Sequence, residues 1–333
     1  MEQETSTNKL NLLILSFKKK LKLKNSLLLT AITAFALVSF QLSPKTPAAS
    51  NIPRATATPS PTPIPTPPLP IPTIINNTPT PSLSAKGAII IDADSSAVLY
   101  EKSADQRLMP ASTTKIMTAI IALENYHLDD LLTITEEERT IGQTMKLEFG
   151  EQLTVKDLLF GALVNSGNDA ALALALSFPK GGYNGFLEAM NAKATDLGLQ
   201  NTSYKNVSGV ESVNHFTTAR DLAKLAQYAM NNKTFKEIVA TPSIRVSAVD
   251  GKTTHQLFTT NSLLGSVDGV VGIKTGWTEN AGECLVSSTI RNKHHIITVV
   301  LGSSDRFGET ESLIDWVFNN HKWNLPKSSN TLN

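Results

Sequence analysis

The chain has 333 residues, which allows one large domain or two ordinary ones, and its formal net charge is +1. From residue 84 onward, 22 basic residues face 27 acidic ones. This mildly acidic balance argues against a nucleic-acid partner, which would need a basic surface. Cys284 is the one cysteine of the sequence, which excludes an internal disulfide and a cysteine metal cluster, and we expect it to be a small buried thiol.

The N-terminal residues have the pattern of a membrane address. Five lysines between positions 18 and 24 precede residues 26–42, which carry no charge. Basic residues beside an apolar stretch keep that flank in the cytoplasm, so the chain that follows is expected to be exported. We therefore predict a basic cytoplasmic tail over residues 1–25 and a transmembrane anchor over 26–42. A cleaved signal segment is the alternative, because about 17 apolar residues suit either role.

Residues 43–83 are predicted to form a disordered linker. They hold thirteen of the 17 prolines of the chain and no acidic residue. Such a composition cannot build an apolar core and favours extended polyproline II structure. At about 3.1 Å per residue, this linker could hold the following domain on the order of 100 Å from a membrane.

A folded domain is predicted over residues 84–325, followed by a short tail over 326–333. The domain begins with a hairpin, in which an apolar strand at 87–91 is joined by a turn at Asp92–Ser95 to a second strand at 97–100. The hairpin supplies two antiparallel strands at the start of the domain.

Helical patterns follow the hairpin, and strands return at the end of the domain. The predicted helices are an apolar segment at 113–124, segments capped by Thr154 with Asp157 and by Thr218 with Asp221, and a last helix at about 306–319. The predicted late strands cover residues 270–278, 282–290 and 294–302. Strands at both ends with helices between them predict an α+β fold with one sheet built from the two ends.

The apolar helix at 113–124 has a lysine near its start, three residues after a serine. Ser112 and Lys115 project from the same face of a helix at this spacing. A hydroxyl there lies near the positive end of the helix macrodipole, which favours negative charge on oxygen. Lys115 could take the serine proton only if burial or a nearby cation lowers its pKa, and the apolar helix supplies the burial. We interpret Lys115 as a general base, although the pattern also fits a capped helix with a snorkelling lysine.

Two further triplets complete a constellation. The triplet SGN at 166–168 lies at a break between two helices, and the triplet KTG at 274–276 lies in a predicted strand. Taken alone, SGN is also typical of the end of one helix and the cap of the next, and KTG is also typical of an ordinary strand end. In this order, S-x-x-K, S-x-N and K-T-G are the motifs of penicillin-binding proteins and class A β-lactamases.

The stretches PASTTKIMTA, NSGNDAA, NHFTTARDLA and IKTGWT resemble the low-molecular-mass D-alanyl-D-alanine carboxypeptidases, the S11 serine peptidases. The resemblance covers about residues 84–320. It implies the β-lactamase/DD-peptidase-like fold, with a sheet of about five antiparallel strands flanked by helices, a helical subdomain, and the active site between them. It also implies a hydrolase that removes the terminal D-alanine from peptidoglycan stem peptides and is inhibited by β-lactams.

The catalytic roles of the family carry over to the matching positions. Ser112 would attack the carbonyl between the two terminal D-alanines, and Lys115 would be its base. Ser166 would relay a proton toward the leaving nitrogen, while Asn168 would position the base and the substrate amide. The resemblance implies no cofactor.

The resemblance also assigns a substrate-binding strand. Lys274 and Thr275 would offer a cation and a hydroxyl to the terminal carboxylate of the substrate, and the lysine charge would depress the pKa of the general base. Gly276 would let the substrate backbone approach the strand. The backbone N–H groups of Ser112 and Trp277 would form the oxyanion hole.

A D,D-endopeptidase, a β-lactamase and a non-catalytic wall-binding protein are the alternatives. Against a β-lactamase, nothing between Ser166 and Lys274 matches E-x-x-L-N. The nearest stretch, Glu211–Asn214, is one residue shorter and has valine before the asparagine. We find no G-x-S-x-G elbow, no H-E-x-x-H pair, no phosphate-loop spacing and no metal site. One departure from the family is Val271-Gly272, where many members have Asp-Gly.

Together with the N-terminal pattern, the resemblance predicts a single-pass protein of the bacterial cell membrane with its catalytic domain outside the cytoplasm. Many family members use a C-terminal amphipathic helix as their membrane anchor, and we expect the N-terminal segment to take that role here. If that segment is cleaved, the domain would instead be exported.

Overall fold

A five-stranded antiparallel sheet forms the centre of the fold. The computed structural model describes residues 70–76, 78–135 and 140–324. The predicted cytoplasmic tail, the anchor, most of the linker and the C-terminal tail lie outside these residues. Within the described ranges, no helix is both long enough and apolar enough to cross a bilayer.

Strands and helices alternate in blocks along the described chain. The strands are β1 Ile71–Ile74, β2 Gly87–Asp92, β3 Val98–Lys102, β4 Leu131–Thr133, β5 Gln152–Thr154, β6 Ser243–Ser247, β7 Thr254–Phe258, β8 Val270–Thr278, β9 Gly282–Arg291, β10 His294–Ser303 and β11 His321–Asn324. A 3-10 helix at Ala111–Thr114 precedes α1 Lys115–Asn125, α2 Val155–Leu163, α3 Asn168–Leu176, α4 Gly182–Asp196, α5 Ala219–Ala229, α6 Lys233–Val239 and α7 Arg306–Asn320.

The central sheet joins strands from both ends of the domain, as the sequence predicts. Its order is β3-β2-β10-β9-β8, and each neighbouring pair is antiparallel. Alternate residues of β10 face opposite sides of the sheet. Ile297 and Val299 pack into the core shared with α1 to α6, whereas Ile296 and Val300 pack in the core beneath α7. The α+β fold is therefore confirmed, and β8 is an edge strand of this sheet.

Two helices begin at the threonines that the sequence predicts as N-caps. Thr154 Oγ1 accepts a hydrogen bond from the N–H of Asp157 at 3.1 Å, and Thr218 Oγ1 accepts one from Asp221 at 3.0 Å. Each cap satisfies one of the N–H groups that a helix start leaves unpaired. The two capped helices, α2 and α5, pack against α1, whose residues from Lys115 to Ala122 are all buried.

The folded domain begins earlier than the sequence predicts. Residues Ile71–Ile74 form β1, which pairs antiparallel with β11 at His321–Asn324. Trp316 Nε1 also donates to Thr78 O at 3.3 Å. The linker prediction over 43–83 is therefore wrong for this stretch. The high proline content of this stretch is typical of a linker. A strand can still form there, because proline is tolerated in edge strands such as β1.

Candidate active site

The predicted nucleophile lies on a 3-10 turn that leads directly into α1. The sequence predicts one helix over 113–124, whereas the chain forms the 3-10 helix Ala111–Thr114 first. With three residues per turn, positions i and i+3 lie above one another, so Ser112 and Lys115 share a face. Ala111 has a φ of 47°, in the left-handed region that a non-glycine residue rarely adopts. Such backbone strain persists only where the surrounding contacts hold it.

Two glycines allow other parts of the chain to approach this turn closely. A Cβ on Gly276 of β8 would lie 2.9 Å from Ser112 N, and a Cβ on Gly209 would lie 1.8 Å from Ala111 O. Gly209 also has a φ of 86°, which favours glycine. The sequence predicts that Gly276 admits the substrate backbone. The structure adds that Gly276 lets the edge strand pack directly on the nucleophile.

The side chain of Lys115 ends in a cage of three oxygens. Its Nζ lies 2.8 Å from Ser112 Oγ, 2.6 Å from Asn168 Oδ1 and 3.0 Å from Ser208 O. A protonated lysine has three N–H groups and can donate to all three oxygens. A neutral lysine can donate to Asn168 and Ser208 and accept the Ser112 hydroxyl proton with its lone pair. The cage therefore fits the lysine both before and after proton transfer from the serine.

The pKa of Lys115 lies well below its ordinary value. Burial is the main cause, because it removes water from the charged form, and the positive charge of Lys274 adds to the effect. The carboxylate of Asp169 acts in the opposite direction. A neutral amine at hydrogen-bonding distance from a hydroxyl can act as a general base, which is the role that the sequence predicts.

Asn168 holds the lysine from the first position of α3. Its Nδ2 donates to Ile141 O at 2.7 Å, which turns Oδ1 toward Lys115, and its backbone N–H donates to Gln143 O at 2.7 Å. Ser166, two residues earlier, has a φ of 59° and is 5% exposed. Both side chains line the same cleft as the nucleophile. The structure therefore places the S-x-N motif in the same cleft as Ser112.

Lys274 is buried in β8, the strand wall of the cleft. It is 1% exposed, and its Nζ donates to Thr275 O at 3.1 Å. Burial, together with the positive charge of Arg306, lowers the pKa of Lys274 to about 7. Thr275 does line the cleft, where its hydroxyl lies 2.6 Å from Thr260 Oγ1. In this conformation the protonated fraction of Lys274 acts on the cleft through its charge, and Thr275 supplies the group that a ligand can touch.

A guanidinium that the sequence analysis missed lines the cleft beside β8. Arg306 Nη1 donates to Gly276 O at 2.9 Å, and its backbone N–H donates to Glu283 Oε2 at 2.9 Å. A planar guanidinium can bind a carboxylate through two parallel hydrogen bonds. No motif marks this residue, because only the order of strands in the sheet brings the start of α7 beside K-T-G.

The three motifs meet in one cleft of about 680 Å³. The predicted residues that line it are Ser112, Ser166, Asn168, Thr275, Gly276 and Trp277. No sequence motif marks the further lining residues Ile141, Gln143, Ser208, Gly209 and Arg306. Asn206 organises one of these further segments, since its Oδ1 accepts from Gly209 N at 2.7 Å. The assignment of the oxyanion hole to two backbone N–H groups stays a prediction.

Two observations concern thiol and metal chemistry. Cys284 is buried in β9, and burial raises the pKa of its thiol to about 11, as suits an inert thiol. In the described ranges, no three histidine, cysteine, aspartate or glutamate side chains are grouped to hold a metal ion.

Comparison with known proteins agrees with this geometry. A family model described as D-alanyl-D-alanine carboxypeptidase matches residues 74–305. The D-alanyl-D-alanine carboxypeptidase DacF of Bacillus subtilis is 34% identical over 247 residues, which are 72% of this chain and 63% of that protein. A D-alanyl-D-alanine endopeptidase of Pseudomonas aeruginosa is 33% identical over 260 residues, which are 74% of this chain and 83% of that protein. The aligned part of this chain thus spans only 63% of the length of DacF.

A solved structure supports the same relationship. The crystal structure of a DD-transpeptidase from Streptomyces aligns with a TM-score of 0.70 and 33% sequence identity, covering 73% of this chain and 100% of that one. This similarity confirms the predicted β-lactamase/DD-peptidase-like fold. The family match covers more than half of the sequence and includes all the predicted site residues, from Ser112 to Trp277. The chain therefore belongs to the S11 family of serine peptidases, the D-alanyl-D-alanine carboxypeptidases.

Proposed function

We propose that this protein is a serine D,D-carboxypeptidase that removes the terminal D-alanine from peptidoglycan stem peptides. The observation that carries the proposal is the 2.8 Å contact between Lys115 Nζ and Ser112 Oγ, in a buried cage that lowers the pKa of the lysine. A serine hydroxyl is a weak nucleophile until a neighbouring base accepts its proton. Membership of the family supports a peptide ending in two D-alanines as the substrate.

Acylation begins when Ser112 Oγ attacks the carbonyl carbon between the two D-alanines. Lys115 accepts the hydroxyl proton as the C–O bond forms, and negative charge develops on the carbonyl oxygen. The backbone N–H groups of Ser112 and Trp277 stabilise that charge. As the C–N bond breaks, the leaving nitrogen receives the proton from Lys115, with Ser166 Oγ as the relay. D-Alanine leaves, and the rest of the peptide remains as an ester on the serine.

Hydrolysis of the ester uses the same groups in reverse order. A water molecule attacks the ester carbonyl, and Lys115 accepts one of its protons. When the ester C–O bond breaks, that proton returns to Ser112 Oγ, and the shortened peptide leaves with a new carboxylate. The lysine thus acts as base and then as acid in each half of the reaction.

The terminal carboxylate of the substrate selects the position of the scissile bond. Arg306 and Thr275 line the cleft beside Gly276, so a guanidinium and a hydroxyl are available to bind it. The protonated form of Lys274, buried in the same strand, adds positive charge. A substrate whose carboxylate is held there presents its preceding carbonyl to the nucleophile on the adjacent turn.

A D,D-endopeptidase is the second candidate. Relatives named D-alanyl-D-alanine endopeptidase in Pseudomonas aeruginosa and Escherichia coli are 33% and 32% identical to this chain. That reaction has the same acyl-enzyme but a larger leaving group. A β-lactamase is less well supported, because Glu211 in the stretch nearest to E-x-x-L-N accepts a hydrogen bond from Asn280 N at 2.9 Å and ties a loop to the β8–β9 turn.

Two assays separate these candidates. The full-length protein is incubated with a defined pentapeptide stem and with a purified cross-linked dimer, and free D-alanine and cleaved dimer are measured. The proposal predicts D-alanine release from the pentapeptide, none from Ser112→Ala, and slower cleavage of the dimer. Faster cleavage of the dimer would support the endopeptidase, and no release from either substrate would contradict both.

The proposal for location is a single-pass protein of the bacterial cell membrane, with the catalytic domain outside the cytoplasm. The lysine run and the uncharged residues 26–42 support it. Protease added to spheroplasts should then release a soluble fragment that binds penicillin, by cutting within the linker before β1. A protein that washes off membranes in salt, or resists protease until the cells are lysed, would contradict this topology.

A further inference from the structure

The segment at 141–147 forms part of the cleft wall and holds Asn168 in place. Ile141 O accepts from Asn168 Nδ2, and Gln143 O accepts from Asn168 N, both at 2.7 Å. The segment contains neither helix nor strand. Its position must therefore come from its neighbours, because an irregular backbone keeps one conformation only where other groups pair with it.

Met145 is one of the points at which this segment is attached to the rest of the domain. Two others are Thr144 O, which accepts from Asn165 Nδ2 at 2.9 Å, and Leu147 N, which donates to Asp169 Oδ2 at 3.1 Å. The N–H of Met145 donates to Asp169 Oδ1, and its carbonyl accepts from His255 Nδ1, both at 3.0 Å. Its side chain is buried against Gly161, where a Cβ would lie 2.2 Å from Met145 Sδ. Both backbone groups and the side chain of this residue are therefore held.

His255 is itself held by a buried carboxylate. Its Nε2 lies 2.9 Å from Glu151 Oε2, and both side chains are 4% exposed. Glu151 Oε1 accepts from Glu148 N at 2.6 Å, so both carboxylate oxygens have partners. A buried pair of this kind adds little net stability, because desolvation offsets the attraction. Stability is thus a weak reason for the arrangement, whereas a fixed position for the Met145 carbonyl is a sufficient one.

For both nitrogens of the His255 ring to be paired, one proton must lie between Nε2 and the Glu151 carboxyl group. A carbonyl only accepts, so His255 Nδ1 must carry a hydrogen to bind Met145. If Glu151 is ionised, it also only accepts, and Nε2 must carry a second hydrogen. If Glu151 is protonated, it donates to Nε2 of a neutral ring. In either form, the carboxyl group fixes the tautomer and the orientation of the ring.

From these contacts we infer that His255 and Glu151 are positioning residues for the acylation step, acting through segment 141–147 on Asn168 and hence on the general base. Neither side chain lines the cleft. The inference rests on the proposed function, because it concerns the rate at which the serine is acylated.

Two substitutions at Glu151 separate the positioning of the His255 ring from the charge of the carboxylate. Glu151→Leu leaves the ring without a partner at Nε2. In Glu151→Gln, the side-chain oxygen can accept from Glu148 N while the amide donates to a neutral ring, whose Nδ1 still binds Met145 O. Acylation of the full-length protein is followed with fluorescent penicillin. We expect the rate constant to fall about 10-fold or more in Glu151→Leu and to change less than about twofold in Glu151→Gln.

His295→Leu is the control for loss of a hydrogen-bonded, partly buried histidine elsewhere in the domain. His295 Nε2 lies 2.7 Å from Ser288 Oγ in the central sheet, so this change should lower the melting temperature without slowing acylation. Rates are measured where circular dichroism shows that every variant is folded. The inference is overturned if folded Glu151→Leu reacts at the parent rate, or if Glu151→Gln is equally slow. Failure of the proposed function is a separate result, since the parent would then not be labelled.

Discussion

Two lysines are buried on opposite walls of the same cleft, and their surroundings differ. Lys115 on the helical wall is 0% exposed and contacts three oxygens, including the nucleophile. Lys274 on the strand wall is 1% exposed and donates to the carbonyl of the next residue. Burial lowers the pKa of both. It is therefore the partners, and not the degree of burial, that distinguish a lysine that exchanges a proton with serine from one that supplies charge.

The two walls also act on each other through charge. Lys274 lowers the pKa of Lys115, and Arg306 lowers the pKa of Lys274. A carboxylate bound beside Arg306 would offset part of the positive charge that Lys274 experiences. We propose that substrate binding at the strand wall is thereby coupled to the proton affinity of both lysines. Substitutions on each wall can test this division of roles.

The largest effect should come from removing the Ser112 hydroxyl, which lies between the two walls. Ser112→Ala leaves both lysines in place but removes the nucleophile, so covalent labelling by penicillin should be lost completely. Intact-protein mass spectrometry should show an increase of one drug molecule in the parent and no increase in the variant. Labelling that persists in Ser112→Ala would mean that another residue is the nucleophile.

The helical wall should account for the next largest effect. Lys115→Met keeps most of the buried volume but removes the base, so acylation by both peptide and penicillin should slow by about 10²–10⁴. Stopped-flow or timed labelling with penicillin gives the rate constant, and circular dichroism checks the fold. If the folded variant reacts within about tenfold of the parent, a different group accepts the serine proton.

The strand wall should control the choice between acid and amide substrates. The parent should prefer a peptide with a free terminal carboxylate over the same peptide as an amide. Arg306→Gln should reduce this preference about 10-fold or more, because it removes a charge-assisted hydrogen bond. Lys274→Met should slow both substrates alike, since it removes a charge that lowers the pKa of the base.

The ratio of kcat/KM for acid and amide substrates measures this preference in each variant. If Lys274→Met alone abolishes the preference, the lysine reads the carboxylate directly, as the sequence analysis expects, and moves into the cleft when substrate binds. If neither variant changes the ratio, the carboxylate is bound elsewhere.

Local signals explain how much of this fold and site the sequence could predict. Thr154 and Thr218 cap helices through residues only three positions away, and the hairpin at 87–102 is set by its apolar first strand and its turn. The S-x-x-K spacing likewise places two side chains on one turn. Each of these features depends on neighbours in the chain, so a single sequence contains the necessary information.

Features that depend on distant pairing could not be predicted in this way. Arg306 reaches the cleft only because β10, β9 and β8 are neighbours in the sheet. His255 contacts Met145 across 110 positions, and no motif marks either residue. The strand at Ile71–Ile74 depends on β11 at the other end of the chain, and its proline-rich surroundings resemble a linker.

The smallest effect concerns stability, and it tests whether the pKa of Lys274 is depressed in the folded protein. Its pKa is about 7 in the folded state, against an ordinary value of 10.5 in the unfolded chain. Between these values the unfolded state binds a proton that the folded state does not, so stability should rise with pH by up to about 1.4 kcal/mol per pH unit. Below pH 7 both states bind the proton, and this contribution becomes independent of pH.

Lys274→Met removes this linkage while keeping a long apolar side chain. Chemical unfolding of parent and variant at pH 7, 8 and 9 gives the difference in unfolding free energy between the two proteins. Titrating groups remote from Lys274 are present in both proteins and largely cancel. Lys115 adds to the shift in the same direction, because Lys274 lowers its pKa in the parent alone. The difference should shift in favour of the parent by about 2–3 kcal/mol from pH 7 to pH 9. A difference that stays constant would mean that Lys274 keeps its proton when folded, and the strand wall would then carry a full buried charge rather than one that titrates near neutral pH.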